Sequence, residues 1–119
     1  KIIKEKFNVP LIKGIGVEKD MNLKKIIKPY EEICDILILD APSKELPGGN
    51  GKKFNWDILK DHTSQKKWML AGGLNIKNIK DAIDVTNPPA IDISSGLETI
   101  KGVKDPQLIK NFVFKCRNL

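Results

Sequence analysis

Four short apolar runs divide this chain, and the distances between them fix most of what it can fold into. They are Pro10 to Val17 (PLIKGIGV), Asp35 to Asp40 (DILILD), Trp68 to Ala71 (WMLA) and Ala90 to Ile93 (AIDI). Each is strand length, and each gap holds a helix or a helix plus a loop. Consecutive strands separated by crossovers of this length pair in parallel, and strands covered by helices read as nearly continuous apolar runs. The spacing therefore predicts an α/β chain of four successive βα units.

The helices between the runs carry their own signals. Leu23, Ile26, Ile27 and Tyr30 recur at three and four residues behind a capping Asp20. Asn75 is expected to cap a helix through Asp84 with Ile76, Ile79 and Ile83 on one face, and Asp105-Pro106 is a start signal for the last helix. A short helical segment is expected over 55–59, and Lys1 to Phe7 read as the end of an amphipathic helix. Four units make half of a closed eight-stranded barrel, which takes about 250 residues. A small open doubly wound sheet has the same periodicity, so the two remain open on this ground alone.

Composition narrows the function classes. Hydrophobic residues make up 40% and charged residues 30%, as in a folded globular chain, and 119 residues suit one domain. The net charge of +6 is lysine charge, because Arg117 is the only arginine. Arginine forks and stacking aromatics are the usual tools of nucleic-acid recognition; with one arginine, scarce aromatics and lysines scattered over every expected helix, no nucleic-acid partner is expected. No apolar run reaches the roughly 18 residues that cross a bilayer, and no membrane partner is expected. Cys34 and Cys116 lack metal-ligand neighbours and His62 is the only histidine, so no metal site is expected. Both cysteines are expected to be reduced thiols in a cytoplasmic protein.

Three strands end in polar or glycine-rich sequence: Asp40, Gly72-Gly73, and Ser94-Ser95-Gly96. Parallel α/β proteins collect their sites at that carboxyl edge. Glycines ahead of a helix let an anion reach backbone N–H groups, and serine hydroxyls add donors, so a phosphate is the expected ligand of the last two loops. Asp40, behind three apolar residues, is expected at a strand tip partly screened from water, where a carboxyl group can act as general acid; capping the next turn is the plainer role for it. Asp92 must point away from Ile91 and Ile93, into a barrel interior or toward the site. Glu98 reads as a solvent-facing loop carboxylate.

Taken in order, Asp35 to Asp40, Gly48-Gly49-Asn50-Gly51 through Trp56, Leu70 to Asn75, Ile91 to Glu98, and Lys101 to Asp105 resemble the phosphoribosylanthranilate isomerases of tryptophan biosynthesis. The likeness spans residues 10 to 116 and rests on the motifs jointly. It implies the C-terminal half of a (β/α)₈ TIM barrel, strands five to eight. It implies an Amadori rearrangement of N-(5-phosphoribosyl)anthranilate to 1-(2-carboxyphenylamino)-1-deoxyribulose 5-phosphate, without a cofactor. On the resemblance, Asp40 is the general acid, Gly72, Gly73, Ser94, Ser95 and Gly96 form the phosphate cradle, and Asp92 is an acidic residue near the substrate. Gly48, Gly49, Asn50 and Gly51 match an active-site loop, with Asn50 where the family usually has threonine; Phe54 and Trp56 are expected to anchor it by packing.

The family's general base, a cysteine ending strand one, matches nothing in these residues, and neither does an early arginine. These 119 residues alone are therefore expected to be inactive. Their partner would be the missing N-terminal half of the barrel, or a second copy. Two other readings stay open: a non-catalytic half barrel that binds phosphate ligands or self-associates, and another ribose-phosphate barrel enzyme such as an indole-glycerol-phosphate synthase, with Lys13 at a strand end.

Overall fold

A computed structural model describes residues 1–41, 43–45 and 52–119. Its centre is a four-stranded parallel sheet in the order β1 (Ile12–Gly16), β2 (Ile36–Asp40), β5 (Lys67–Ala71) and β6 (Ala90–Ile91). The four predicted strands are present; three are shorter than expected, and the one expected over Trp68 to Ala71 starts one residue earlier, at Lys67. Around them run α1 (Ile2–Phe7), α2 (Leu23–Glu31), α3 (Ile79–Thr86) and α4 (Pro106–Arg117). Two small antiparallel pairs stand apart from the sheet, β3 (Ser43–Glu45) with β4 (Lys52–Phe54), and β7 (Glu98–Ile100) with β8 (Val103–Lys104). Both pairs fall where the sequence reads as loop.

The sheet order follows the chain order without reversal. A doubly wound sheet reverses order at a switch point and carries helices on both faces. Here the buried face is built from Ile15, Leu37, Leu39, Trp68 and Leu70 against Leu23 and Ile27 of α2, Ile79 and Ala82 of α3, and Phe112 of α4. Leu37, Leu39 and Leu70 are fully buried, which is why DILILD and WMLA lead the core. On the other face the register aligns Gly14, Ile38 and Met69 in one row and Ile12, Ile36 and Lys67 in the row below. Among the described residues no helix covers this face, and Ile12 is 56% exposed there. The two sides of one sheet thus differ as do the outside and inside of a barrel wall.

Local chemistry explains the element ends. The cap of α2 is Asn22, whose side chain accepts from the Lys25 N–H at 3.2 Å, and not the expected Asp20. Both residue types cap well; the turn placed Asn22 next to the first helical residue. Pro29 lies inside α2, where its missing N–H removes an i→i−4 bond, and the helix ends two residues later at Glu31. Asp105 caps α4 as predicted, accepting from Gln107 at 2.8 Å and Leu108 at 3.3 Å. The helix end at Lys1 to Phe7 is present as α1 and is tied down by Lys4, which bonds both carboxylate oxygens of Asp35 at 2.9 and 2.8 Å. Asp35 also accepts from the Leu11 N–H at 2.7 Å, so one carboxylate joins α1, the start of β1 and the start of β2. The Lys4 bond first, and the Leu11 bond next, hold the Asp35 carboxyl below the usual carboxylate range.

Candidate functional site

The carboxyl ends of β1, β2 and β5 share one register row, Gly16, Asp40 and Ala71. The Asp92 N–H donates to the Leu70 carbonyl at 2.8 Å, continuing the ladder one step past β6 and bringing Asp92 to the same level. Asp40 and Asp92 thus flank Ala71 at two strand spacings, about 10 Å apart. Both carboxylates lie on the sheet face opposite the helix-covered core, and both are exposed. For Asp92 this is the orientation the alternation of AIDI demanded. For Asp40 the expected screening from water is absent, because the open face brings no cover to the strand tip. Asp40 caps no turn by a side-chain hydrogen bond among the described residues.

Gly72 follows Ala71 with φ +101°, and a Cβ there would sit 2.5 Å from Asp40 Oδ1 and 3.0 Å from the Ala41 nitrogen. Glycine is required twice over at this position, by the left-handed backbone and by the close approach of the carboxylate. Gly73 is also left-handed, at φ 58°. The chain then enters a turn built by two asparagines. Asn75 Oδ1 accepts from the Lys77 and Asn78 N–H groups at 2.8 and 3.1 Å, while Asn78 Oδ1 accepts from the Asn75 N–H at 2.8 Å. The Asn78 amide also donates to the Gly73 carbonyl at 2.9 Å, fixing the glycine pair to the helix start. The helix starts later than expected, at Ile79 with Asn78 in the N-cap position, and ends at Thr86, so Asn75 braces the turn before the helix and is not its cap residue. From α4, Lys115 reaches the Ile76 carbonyl at 2.7 Å and pins the same turn from behind.

The loop after β6 packs directly on this one. A Cβ on Gly96 would lie 2.0 Å from the Leu74 carbonyl oxygen and 3.1 Å from Asn75 Cα. The two glycine loops therefore form one continuous surface, with Ser94 and Ser95 exposed beside it. Ser94 to Leu97 turn through a 3₁₀ segment in which the Ser94 side chain makes no capping bond. Its hydroxyl instead accepts from Lys104 Nζ at 3.1 Å. Lys104 is also paired with Glu98, and Glu98 accepts from the Gly102 N–H at 3.1 Å. The Lys104 bond, then the Gly102 bond, keep the Glu98 carboxyl below its ordinary range. The Glu98 side chain is only 13% exposed, which corrects its reading as a solvent-facing carboxylate. Sequence reasoning missed this Lys104–Glu98 pair, although Gly102-Val103-Lys104-Asp105 stands among the motifs.

The expected loop residues Gly48, Gly49, Asn50 and Gly51 lie outside the described residues. Trp56 packs against the main core, while the loop it is expected to anchor and the Phe54 side chain lie outside the described residues. Cys34 is buried at the start of β2 and Cys116 lies partly buried on α4, both away from the Asp40 row and both free thiols. Burial raises the Cys116 thiol above its usual range, which disfavours a nucleophilic thiolate.

The sequence pattern of the N-(5'-phosphoribosyl)anthranilate (PRA) isomerase family matches residues 2–115. Among curated proteins of that name, the one from Mesorhizobium japonicum is 45% identical over 113 residues, covering 92% of this chain and 51% of its own length. Those from Paracoccus denitrificans and Bacillus cereus are 40% and 41% identical, covering 54% of their own lengths in each case. The chain spans about half the length of the curated relatives it matches. Among solved structures, phosphoribosyl anthranilate isomerase from Thermotoga maritima superposes with a TM-score of 0.76 at 34% identity, over 99% of this chain and 56% of that one. A structure of phosphoribosyl anthranilate isomerase in complex with reduced 1-(o-carboxyphenylamino)-1-deoxyribulose 5-phosphate superposes with a TM-score of 0.71 at 30% identity, over 99% and 54%. With a family pattern that runs through nearly all of its residues, this chain belongs to the PRA isomerase family.

Proposed function

We propose that this chain supplies the acid and phosphate-binding half of a PRA isomerase, as strands five to eight of a (β/α)₈ barrel. The observation that carries the reading is the row Asp40–Ala71–Asp92 at the strand ends, standing beside two glycine loops fused at Gly96. The substrate's 5-phosphate sits on Gly72, Gly73, Ser94, Ser95 and Gly96, and its furanose ring lies over Ala71 between the two carboxylates. Asp40 gives its proton to the ring oxygen. The anilino nitrogen's lone pair forms the C1=N bond as the C1–O bond breaks with its electron pair going to that oxygen, leaving an iminium at C1 whose nitrogen is the anilino one. Loss of the C2 proton to a base then yields the enolamine, which tautomerises to the 2-ketone. Asp92, on the other side of Ala71, is the acidic residue near the substrate.

The base comes from the N-terminal half that the longer relatives possess, and the same half covers the open face. Ile12, Ile36, Ile38 and Met69 there require an apolar cover. An apolar groove of about 350 Å³ between β6 and α4, lined by Ile91, Ile93, Leu97, Phe112, Val113 and Cys116, is shaped for further side chains from the same half. The test is co-expression with the N-terminal half of the Mesorhizobium japonicum protein, followed by a PRA isomerase assay. The pair is expected to turn over substrate, and Asp40→Asn in this chain to reduce the rate by about 10²- to 10⁴-fold. An active pair that tolerates Asp40→Asn removes the acid from Asp40. A second copy covering the same face is the other occupant; a dimer that excludes the N-terminal half in size-exclusion chromatography favours it.

A further inference from the structure

We infer that Lys104 is a positioning residue for phosphate recognition, acting through Ser94. The inference rests on the phosphate cradle proposed above. A serine hydroxyl has one proton to donate and two lone pairs to accept with. Lys104 Nζ, at 3.1 Å, occupies one lone pair of Ser94 Oγ. A neighbouring ammonium leaves the hydroxyl proton as the part that Ser94 can offer, and the positive charge polarises the O–H bond toward a stronger donor. Ser94 is thereby set to donate to an anion rather than to turn its proton elsewhere on the exposed loop.

Lys104 is itself held in place. Glu98 pairs with it from the facing strand of the β7–β8 hairpin, and the Gly102 N–H at the hairpin turn holds the other carboxylate oxygen at 3.1 Å. The hairpin is anchored in turn by the Asp105 N–H donating to the Leu97 carbonyl at 2.8 Å. Because Glu98 cancels the charge of Lys104, the pair adds little net attraction for an anion at a distance. Its effect is local and directional, on one hydroxyl. The small hairpin between the last strand and the last helix thus carries the clamp that aims Ser94.

The experiment is a titration of the 119-residue chain with inorganic phosphate, read from the ¹H–¹⁵N amide shifts of Gly72, Gly73, Ser94, Ser95 and Gly96. Lys104→Met is expected to weaken phosphate about five- to tenfold, the loss of one charge-assisted hydrogen bond at a partly exposed site. Lys104→Arg, which keeps a cationic donor, is expected to restore binding to within about threefold of the original. In a Ser94→Ala background, Lys104→Met is expected to cost nothing further, because the group it acts through is gone. Equal binding by Lys104→Met and the original chain overturns the inference. So does an undiminished loss in the Ser94→Ala background, which makes Lys104 a direct phosphate ligand instead. If the original chain shows no saturable shifts at all, the cradle itself fails, an outcome separate from any difference among the variants. Should Lys104→Met lose the dispersed spectrum of a folded chain, Lys104→Gln replaces it in both backgrounds, and either no loss of phosphate binding or an equal loss with Ser94→Ala overturns the inference.

Discussion

Replacing Gly96 by alanine isolates the contact on which the joined loops depend. The added Cβ would stand 2.0 Å from the Leu74 carbonyl oxygen, with Leu74 C and Asn75 Cα both at 3.1 Å. Ordinary contact needs about 3.5 Å, so the two loops must part by about 1.5 Å. The obstacles are backbone atoms, and Leu74 is buried at 2% exposure, so neither side can swing away as a flexible side chain would. Overpacking of this kind costs about 3 kcal/mol, the upper end of its usual range. With a urea dependence of about 1.5 kcal/mol per molar for a small domain, the unfolding midpoint should fall by about 2 M. Gly14→Ala is the control: nothing lies within 4 Å of its Cβ, and φ is not left-handed. That change should leave the midpoint unaltered or raise it by up to about 0.5 M through the stiffer unfolded chain. Circular dichroism against urea for both variants gives the answer, and phosphate-induced amide shifts show whether the cradle has opened. A Gly96→Ala chain with the original midpoint and original phosphate shifts would refute the argument from contact distance, and equal losses in both variants would refute it as well.

Two further changes test other parts of the structure. Asp105→Ala removes both cap bonds of α4 and should cost about 1 kcal/mol, seen as a urea midpoint lower by about 0.7 M, with Asp105→Asn recovering most of it. His62 packs edge-on to Trp68 at a centroid distance of 5.2 Å, its Nε2 is buried without a hydrogen bond, and burial holds its pKa below the ordinary histidine value. Its unfolded form therefore binds a proton first, so stability present above the ordinary histidine pKa is lost as pH falls from there toward the lower folded value. His62→Leu should flatten that stretch of the stability-against-pH curve, and an unchanged slope between about pH 7 and 5 in urea melts would remove His62 as its source.

Which features were legible in the residues follows from how local each one is. DILILD and WMLA declare buried parallel strands because both their faces are hydrophobic, and Asp105-Pro106 declares a helix start because capping is settled within about four residues. Asp92 could be aimed correctly because strand alternation leaves a residue between two isoleucines no other direction. Asp40 could be placed at a strand tip but not given its surroundings, since exposure there depends on what covers the open face. The choice of Asn22 over Asp20 hinged on turn geometry between them. Glu98 and Lys104 lie in a segment with no periodicity; only the hairpin between them brings the charges together, so neither could be assigned a partner in advance.

The unreversed strand order also bears on how the chain folds. Ile12 pairs with Ile36, Ile36 with Lys67, and Met69 with Ala90, so every contact in the parallel sheet joins neighbours 21 to 31 residues apart. Closure entropy changes little over that range, since doubling a loop adds only about 0.6 kcal/mol. No pairing is then much easier to nucleate than another, and the order of events is left to side chains. The β2–β5 pair, with Leu37, Leu39, Trp68 and Leu70 on one face, gathers the largest apolar surface earliest, so growth should start in the middle of the sheet and spread to both edges. Strands added outward from a central pair can continue onto a further unit at either edge by the same step, which makes this arrangement suited to growth by repetition of one βα element.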